Sequence, residues 1–448
     1  MSTETSNTLQ ILGGGPGGLA AAYYARQAGL KVALYEGSNS TGGNAKTLKL
    51  GDCLFDTGAH RLHDKIPEVT KEIRSLLGSD LLTVNAPSRI HFAGRRLRFP
   101  LQPGDLLRQL PLRILVRIIF ECLQKRGQQD LPNFRSWAVS QYGQTLADLL
   151  LLNYSEKLWG EDTANLSPQI SGGRLRNLDL RAFLRGLLPG EDSRHLDGSF
   201  LYPRNGFGSI FERMTEEIGG DHIHCNNRIT KLINEKGRVT AFELNDQTNV
   251  EAETLISTLP LPLMMKILDP APPTEILRKA RSIRFRKLLL CVFCLKRDRF
   301  SDNASIYFPD SDLPFTRLYE CKNRSIFVAP EDQTAIVLEL PCHESSVYWK
   351  MSDTDLLEKV LSALVDVESI EQEEILQTAV YRLPFAYPIL EVGIEQTVSE
   401  LVSYLDGFEN LHLIGRNASF RYLHTHDLFN EAETLIRQIG LSEHATTG

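Results

Sequence analysis

Apolar residues change period several times along this chain, and the changes mark its elements. The run LQIL at Leu9–Leu12 reads as a short buried strand. It ends in the turn GGGPGG, and a small-residue helical pattern follows, then a second apolar run, KVALY, that stops at Glu36. From about 88 to 196 the pattern is mostly helical and rich in arginine. LYPRNGFGSIFERMTEEIGG predicts a turn and a helix. HIHCNNRITKLINEKGRVTAFEL predicts a hairpin, two alternating runs around Glu235-Lys236-Gly237. TLISTLPLPLMMKIL reads as a buried strand with a proline stop. From about 269 to 388 strands such as KLLLCVFCLK and AIVLELP alternate, with one helical stretch after Ser352. The end reads as strand, loop and helix. Segments of nucleotide-binding type thus recur over 1–87, 197–268 and 389–448, with other segments over 88–196 and 269–388 between them. The expected fold is α/β, a discontinuous Rossmann-like domain with an inserted mixed α+β substrate domain.

The first turn carries chemistry. Gly13, Gly15 and Gly18 have the G-x-G-x-x-G spacing, with Pro16 and Gly17 inside it. Such a turn closes sharply after a strand, lets backbone approach a pyrophosphate, and aims a helix amino terminus at the phosphates. Glu36 follows at about the 20-residue distance where an acid takes ribose hydroxyls, and its charge disfavours a 2′-phosphate. A dinucleotide is therefore expected; this stretch does not separate NAD from FAD.

Composition narrows the classes. A chain of 448 residues with 42% hydrophobic and 23% charged residues is ordinary for a globular protein of two or three domains. A net charge of −7 argues against broad nucleic-acid binding. The polar start MSTETSNTLQ has no export pattern, and no apolar run is long enough to span a bilayer, so a cytoplasmic location is expected. The 7 cysteines are scattered, which suits reduced thiols. Cys291 and Cys294 form a CxxC in a strand, where they point to opposite faces, and no metal site is expected. In DLLRQLPLRILVRIIFECLQKR, Leu107, Leu110, Ile114 and Ile118 share a face interrupted by Arg108, Arg113 and Arg117. A basic amphipathic helix can lie on a membrane, but packing on the core is the commoner use of such a face, so peripheral membrane contact is not the favoured expectation.

Four pieces together resemble the FAD-dependent amine-oxidase and protoporphyrinogen-oxidase superfamily, whose fold UDP-galactopyranose mutases share. In STGGNAKT, Gly42 and Gly43 match the glycine pair that lets a loop pass under the FAD phosphates and ribityl chain. Asn44 stands where arginine is usual, which is closer to the mutases, and Lys46 is a candidate for the missing charge. In FDTGAHRLH, Asp56, Gly58 and His60 fit an acid-x-glycine-x-histidine pattern near the flavin ring, with Arg61 and His63 as further polar groups; the plain alternative is a strand edge capped by histidines. NYSEKLWGEDTANLSP is similar to a mutase segment, which would put Tyr154, Lys157 and Trp159 on the substrate side; the alternative is core packing. In NLHLIGRNASFRYLHTHDLF, Gly415 and Arg416 match a late glycine-arginine pair along the FAD diphosphate, and Phe420, Arg421 and Tyr422 match an aromatic-basic-tyrosine step. The family's acid falls between His426 and Asp427, so the ribityl contact stays open between them. The resemblance also implies that the backbone of Ile229 touches the adenine. FAD is then favoured over NAD.

Two activities follow from the resemblance. One is oxidation of a C–N or C–C bond of a small-molecule substrate by hydride transfer to flavin N5, with His60 or His424 available to handle a proton, and His63 and Trp159 at the same site. The other is a non-redox sugar-nucleotide mutase, for which Arg174, Arg176, Arg284, Arg286, Arg317 and Arg324 are candidates to neutralise a diphosphate. The oxidoreductase is the preferred expectation. Oligomeric state is not legible.

Overall fold

The computed structural model describes residues 8–99, 103–124, 131–171 and 199–446. A five-stranded parallel sheet has the order Leu411–Leu413, Thr254–Ser257, Thr8–Leu12, Lys31–Tyr35, Ile223–His224. Its strands come from the start, the middle and the end of the chain. The central strand, Thr8–Leu12, pairs Ile11 with Ile256 on one side and with Leu34 on the other. Apolar clusters cover both faces, as a parallel sheet requires. The helix Pro16–Gln27 packs between Ser209–Ile218 and Thr425–Thr446. Its row of buried alanines, Ala20, Ala21, Ala22 and Ala25, lets the neighbouring backbones approach closely.

The expected hairpin forms from Ile229–Glu235 and Arg238–Leu244, turning on Lys236 and Gly237, both at positive φ. Asn410 ties it to the last strand of the five-stranded sheet: its side chain accepts from Val239 N at 3.0 Å and donates to the Val239 and Glu253 carbonyls at 2.9 and 2.7 Å.

A seven-stranded sheet makes the second layer, in the order Ile375–Pro388, Phe285–Leu295, Thr334–Cys342, Arg317–Glu320, Ser305–Tyr307, Ser88–Phe92, Arg95–Phe99. Leu289, Cys291, Phe293 and Leu295 face the helix Asp353–Val365, whose amino terminus Ser352 caps. Leu288, Leu290, Val292 and Cys294 face Cys53 and Phe55. Burial on both faces explains the unbroken apolar run KLLLCVFCL, and the strand's two-residue alternation puts the two cysteines of the CxxC on opposite sides.

Three expectations need correction. Residues 88–99 are two strands of the large sheet, not helix: in RRLRF, Leu97 is buried between exposed Arg96 and Arg98, and the run of arginines hides the period of two. LPLMMKI is the helix Leu261–Ile267, because the strand already ends at Ser257. Thr274–Ser282 is a further helix in a region read as strands. In the basic segment, Leu110 and Ile118 pack inward while Leu107 faces out. No helix among the described residues is long and apolar enough to cross a membrane. No group of three or more His, Cys, Asp or Glu among them could hold a metal ion.

Candidate functional site

Three loops meet at the carboxyl ends of the parallel strands. The turn at Gly13 closes with φ +106°, and its N–H donates to the Tyr35 carbonyl at 2.8 Å. Thr258, which the sequence gave no reason to single out, donates to the Leu12 and Gly13 carbonyls at 3.2 Å. The Gly42–Gly43 loop is held by Gly42 N donating to the Gly14 carbonyl at 2.8 Å. A Cβ added to Gly43 would stand 3.0 Å from Gly15 Cα, and one added to Gly17 would stand 3.4 Å from Gly415 Cα. The amino-terminal turn, the second glycine pair and the late glycine-arginine loop are thus in mutual contact. Asn44 and Asn417 both donate to the Phe385 carbonyl, at 2.8 and 3.5 Å, which fixes two of these loops to the end of a large-sheet strand. No side chain caps Pro16–Gln27, so its first-turn N–H groups and positive dipole end face the cradle.

Glu36 stands at the end of its strand. Its carboxylate accepts from Gly14 N at 2.8 Å and from Ser38 N and Oγ at 2.8 and 2.7 Å. The base of the hairpin lies beside it: a Cβ on Gly37 would be 3.5 Å from Arg228 Cα, and Ile229 follows, buried. Lys46 donates to Ser38 and Ser40 within the same loop.

Asp56 is fully buried and braces the region, accepting from Tyr202 Oη at 2.6 Å, Thr47 Oγ1 at 2.7 Å and Phe207 N at 2.9 Å. Four residues on, His60 stacks on Phe207 at 4.9 Å, with Nε2 3.1 Å from the Asn44 carbonyl. Burial, reinforced by the charges of Arg324, Arg317 and Arg416, pushes its pKa down to about 3. His60 is therefore neutral at neutral pH, and the expectation that it titrates there is not met. His63 lies near Phe200, with ring centroids 6.2 Å apart.

Beyond the late loop lies an aromatic cluster. Trp159, buried, meets Tyr387 and Tyr422 edge-on, each at 5.9 Å. The Arg416 guanidinium lies over both tyrosine rings, at 4.9 and 4.5 Å, and its Nε and Nη2 find no hydrogen-bond acceptor among the described residues. Tyr154 packs edge-on against Tyr307 at 5.8 Å. Burial raises the hydroxyl pKa values of Tyr154 and Tyr387, keeping both protonated. Arg317 and Glu339, directly opposite on adjacent strands, form a two-bond ion pair at 2.9 and 2.7 Å. Tyr307, Tyr387 and Glu339 carry no motif and were not legible in sequence; they arrive from three separate strands.

Other candidates serve different ends. The Lys157 ammonium donates to the Phe308, Asp310 and Phe315 carbonyls at 2.9, 2.7 and 2.7 Å, so it braces a loop. Arg286 donates to the Leu158, Lys157 and Pro341 carbonyls, and Arg324 to those of His60 and Ala304. Arg284 pairs with Glu161 and Glu391, both at 2.8 Å. Arg174 and Arg176 lie outside the described residues. Asp427, in the first turn of the last helix, accepts from His424 N at 2.8 Å; His426 is buried beside it, its ring stacked on that of His424 at 5.8 Å. Arg421 pairs with Glu431.

A doubly covered parallel sheet, a three-loop glycine cradle and an adjoining aromatic cluster define a dinucleotide-dependent enzyme, and comparison with known families specifies which. The chain belongs to the flavin containing amine oxidoreductases, whose family model matches residues 16–427. It is a flavin-dependent oxidoreductase, and its cofactor is FAD. A zeta-carotene-forming phytoene desaturase of Myxococcus xanthus is 22% identical over 82% of this chain and 79% of its own. Among solved structures, a reduced UDP-galactopyranose mutase matches with a TM-score of 0.81 at 19% identity, covering 97% of this chain and 95% of the other. Cyclohexylamine oxidase from Brevibacterium oxydans IH-35A matches with a TM-score of 0.68 at 15% identity, covering 98% and 100%. The last two likenesses describe the fold. The residues present fit FAD: backbone glycines line the cradle, and the Arg416 guanidinium has hydrogen-bonding capacity in reserve beside it.

Proposed function

We propose that this enzyme oxidises a C–N or C–C bond of a small, uncharged and largely apolar substrate. Gly13, Gly15, Pro16, Gly17 and Gly18 would hold the pyrophosphate with Gly42, Gly43, Asn44, Gly415 and Arg416. Glu36 would take the adenosine ribose, the Ile229 backbone the adenine, and the first turn of the last helix, with His426 and Asp427, the flavin end. FAD bound there would supply the two-electron oxidant for the reaction.

The observation that carries this reading is the aromatic cluster beside the late loop. Trp159, Tyr154, Tyr307, Tyr387 and Tyr422 would supply an apolar surface that orients a substrate and excludes water from it. Glu339 is occupied by Arg317, and His60, whose pKa is pushed down to about 3, is too weakly basic to draw a proton strongly, so neither is a strong general base at neutral pH. The chain therefore orients its substrate more than it moves protons, which suits a neutral amine or an allylic C–H donor. The desaturase and cyclohexylamine oxidase relatives act on apolar carbon skeletons by name, in keeping with this. A mutase reading has less support: Arg284, Arg286, Arg317 and Arg324 are all engaged within the protein, leaving few guanidiniums for a diphosphate. We also propose a cytoplasmic location, in keeping with the scattered cysteines of the sequence.

The test is anaerobic reduction. Neutral cyclic amines and unsaturated hydrocarbons, offered under nitrogen, should bleach the flavin absorbance, whereas UDP-galactopyranose should neither bind nor alter the reduced spectrum. Tight binding of that sugar nucleotide to reduced enzyme, with no bleaching by any amine or hydrocarbon, would overturn the proposal in favour of the mutase.

A further inference from the structure

The helix Leu112–Leu123, with Pro103–Gln109 before it, has two apolar faces, and only one of them is packed. Leu110, Leu115 and Ile118 sit in a cluster with Ile90, Leu97 and Leu106. The other face is open: Leu112 is 75% exposed, Val116 56%, Ile119 45% and Phe120 62%. These positions are spaced i, i+4, i+7, i+8, a continuous stripe on one side of a helix. Leu107, 56% exposed, extends it onto the preceding helix. So many large apolar side chains gathered in one exposed place mark an interaction surface.

The charges beside the stripe say what kind of partner fits. Exposed Arg108, Arg113 and Arg117 flank it, and Arg96 and Arg98 are exposed on the strand Arg95–Phe99 that packs against the first of the two helices. Arg117 is partly balanced by Glu121, Arg98 by Asp105 and Arg96 by Glu368. Arg108 and Arg113 have no carboxylate partner among the described residues. A basic patch on a chain of net charge −7 opposes the sign of the whole molecule. A second copy would bring the same guanidiniums face to face, which disfavours self-association.

We infer that this face docks on an anionic lipid bilayer, with Leu107, Leu112, Val116, Ile119 and Phe120 entering the headgroup boundary and the arginines lying among the phosphates. Apolar side chains on one face and arginines at its edges are the combination by which a helix lies in the plane of such an interface. The cytoplasmic leaflet is the anionic one. The cluster beneath the helix continues inward to Tyr307, which packs on Tyr154, so apolar packing runs from under the docking helix to the aromatic cluster. Docking itself does not depend on which bond the enzyme oxidises.

The test is flotation of the full-length, FAD-loaded enzyme with vesicles. It should float with phosphatidylglycerol–phosphatidylcholine vesicles at low salt, stay in solution with phosphatidylcholine alone, and be released from the anionic vesicles by added salt. The double variant Leu112→Asp, Phe120→Asp should lose on the order of tenfold or more in vesicle affinity. Arg108→Gln and Arg113→Gln should each lose about fivefold. All four positions are exposed, so flavin absorbance and melting temperature should match the wild type, which separates lost docking from lost folding. The proposal fails if the wild type stays in solution with anionic vesicles, or if the double variant floats as well as the wild type. It fails too if the wild type is a dimer that the double variant converts to monomer while neither binds vesicles; the face would then join two copies.

Discussion

Single glycines separate folding from cofactor binding. A Cβ on Gly15 would meet only Gly43 Cα at 4.0 Å, ordinary contact, whereas one on Gly18 would stand 2.0 Å from the Gly13 carbonyl oxygen. Gly15→Ala should therefore fold with near-normal stability yet bind FAD on the order of tenfold more weakly, because the added methyl occupies the approach to the phosphates. Gly18→Ala should cost more than about 2 kcal/mol of stability. Denaturation midpoints beside flavin absorbance distinguish the two, and normal retention of FAD by Gly15→Ala would contradict the phosphate assignment. His60 gives a pH prediction. Its folded pKa of about 3 lies below the ordinary 6.5, so between those values the unfolded chain binds the extra proton and stability falls as pH falls. The contribution is at most about 1.4 kcal/mol per pH unit. His60→Asn should flatten the acid limb of stability against pH without adding or removing an inflection in rate near neutrality. The glycine turn and the place of Glu36 at a strand end were readable in sequence because both depend on local residue type. The neutrality of His60 was not, since it comes from burial and from arginines far away along the chain.

Between elements, polar side chains do work that a motif cannot show. Lys157 sits in a segment that resembles a substrate-side motif, yet its ammonium joins a helix end to three carbonyls of a distant loop. Lys157→Met should cost about 3 kcal/mol by leaving those carbonyls without their donor, with little change in substrate KM; thermal denaturation and steady-state kinetics check both halves. The cross-strand pair of Arg317 and Glu339 makes a sharper case. Glu339→Leu should cost about 3–5 kcal/mol because it leaves a buried guanidinium unbalanced, while Arg317→Met combined with Glu339→Leu should be milder than that single change. An additive double variant would show that the two side chains do not stabilise one another. Strands with unbroken or alternating apolar runs were legible, as was the helix after Ser352, because burial pattern and capping are local. The strands Ser88–Phe92 and Arg95–Phe99 were not, since arginines occupy their outward positions and resemble a helical face.

Across the whole molecule, the five-stranded sheet cannot form from one contiguous stretch. Thr8–Leu12 pairs with Thr254–Ser257, which pairs in turn with Leu411–Leu413. The last helix buries Phe429, Ala432 and Ile436 in the cluster around Pro16–Gln27. A chain ending at Asp406 should therefore lose FAD and its near-ultraviolet circular dichroism together; a fragment that stayed yellow and cooperatively folded would contradict this architecture. The sequence by itself determined the glycine turns, the acid after the second strand, the hairpin, the order of segments and, through resemblance, the family, because each depends on residues near one another along the chain or on a motif carried whole. Only the tertiary structure decided that Trp159, Tyr307, Tyr387, Tyr422 and Arg317 come near one another, that most candidate arginines are internally engaged, and that one apolar helix face is left uncovered. Those outcomes depend on which distant side chains meet in space, and on how much water their meeting excludes.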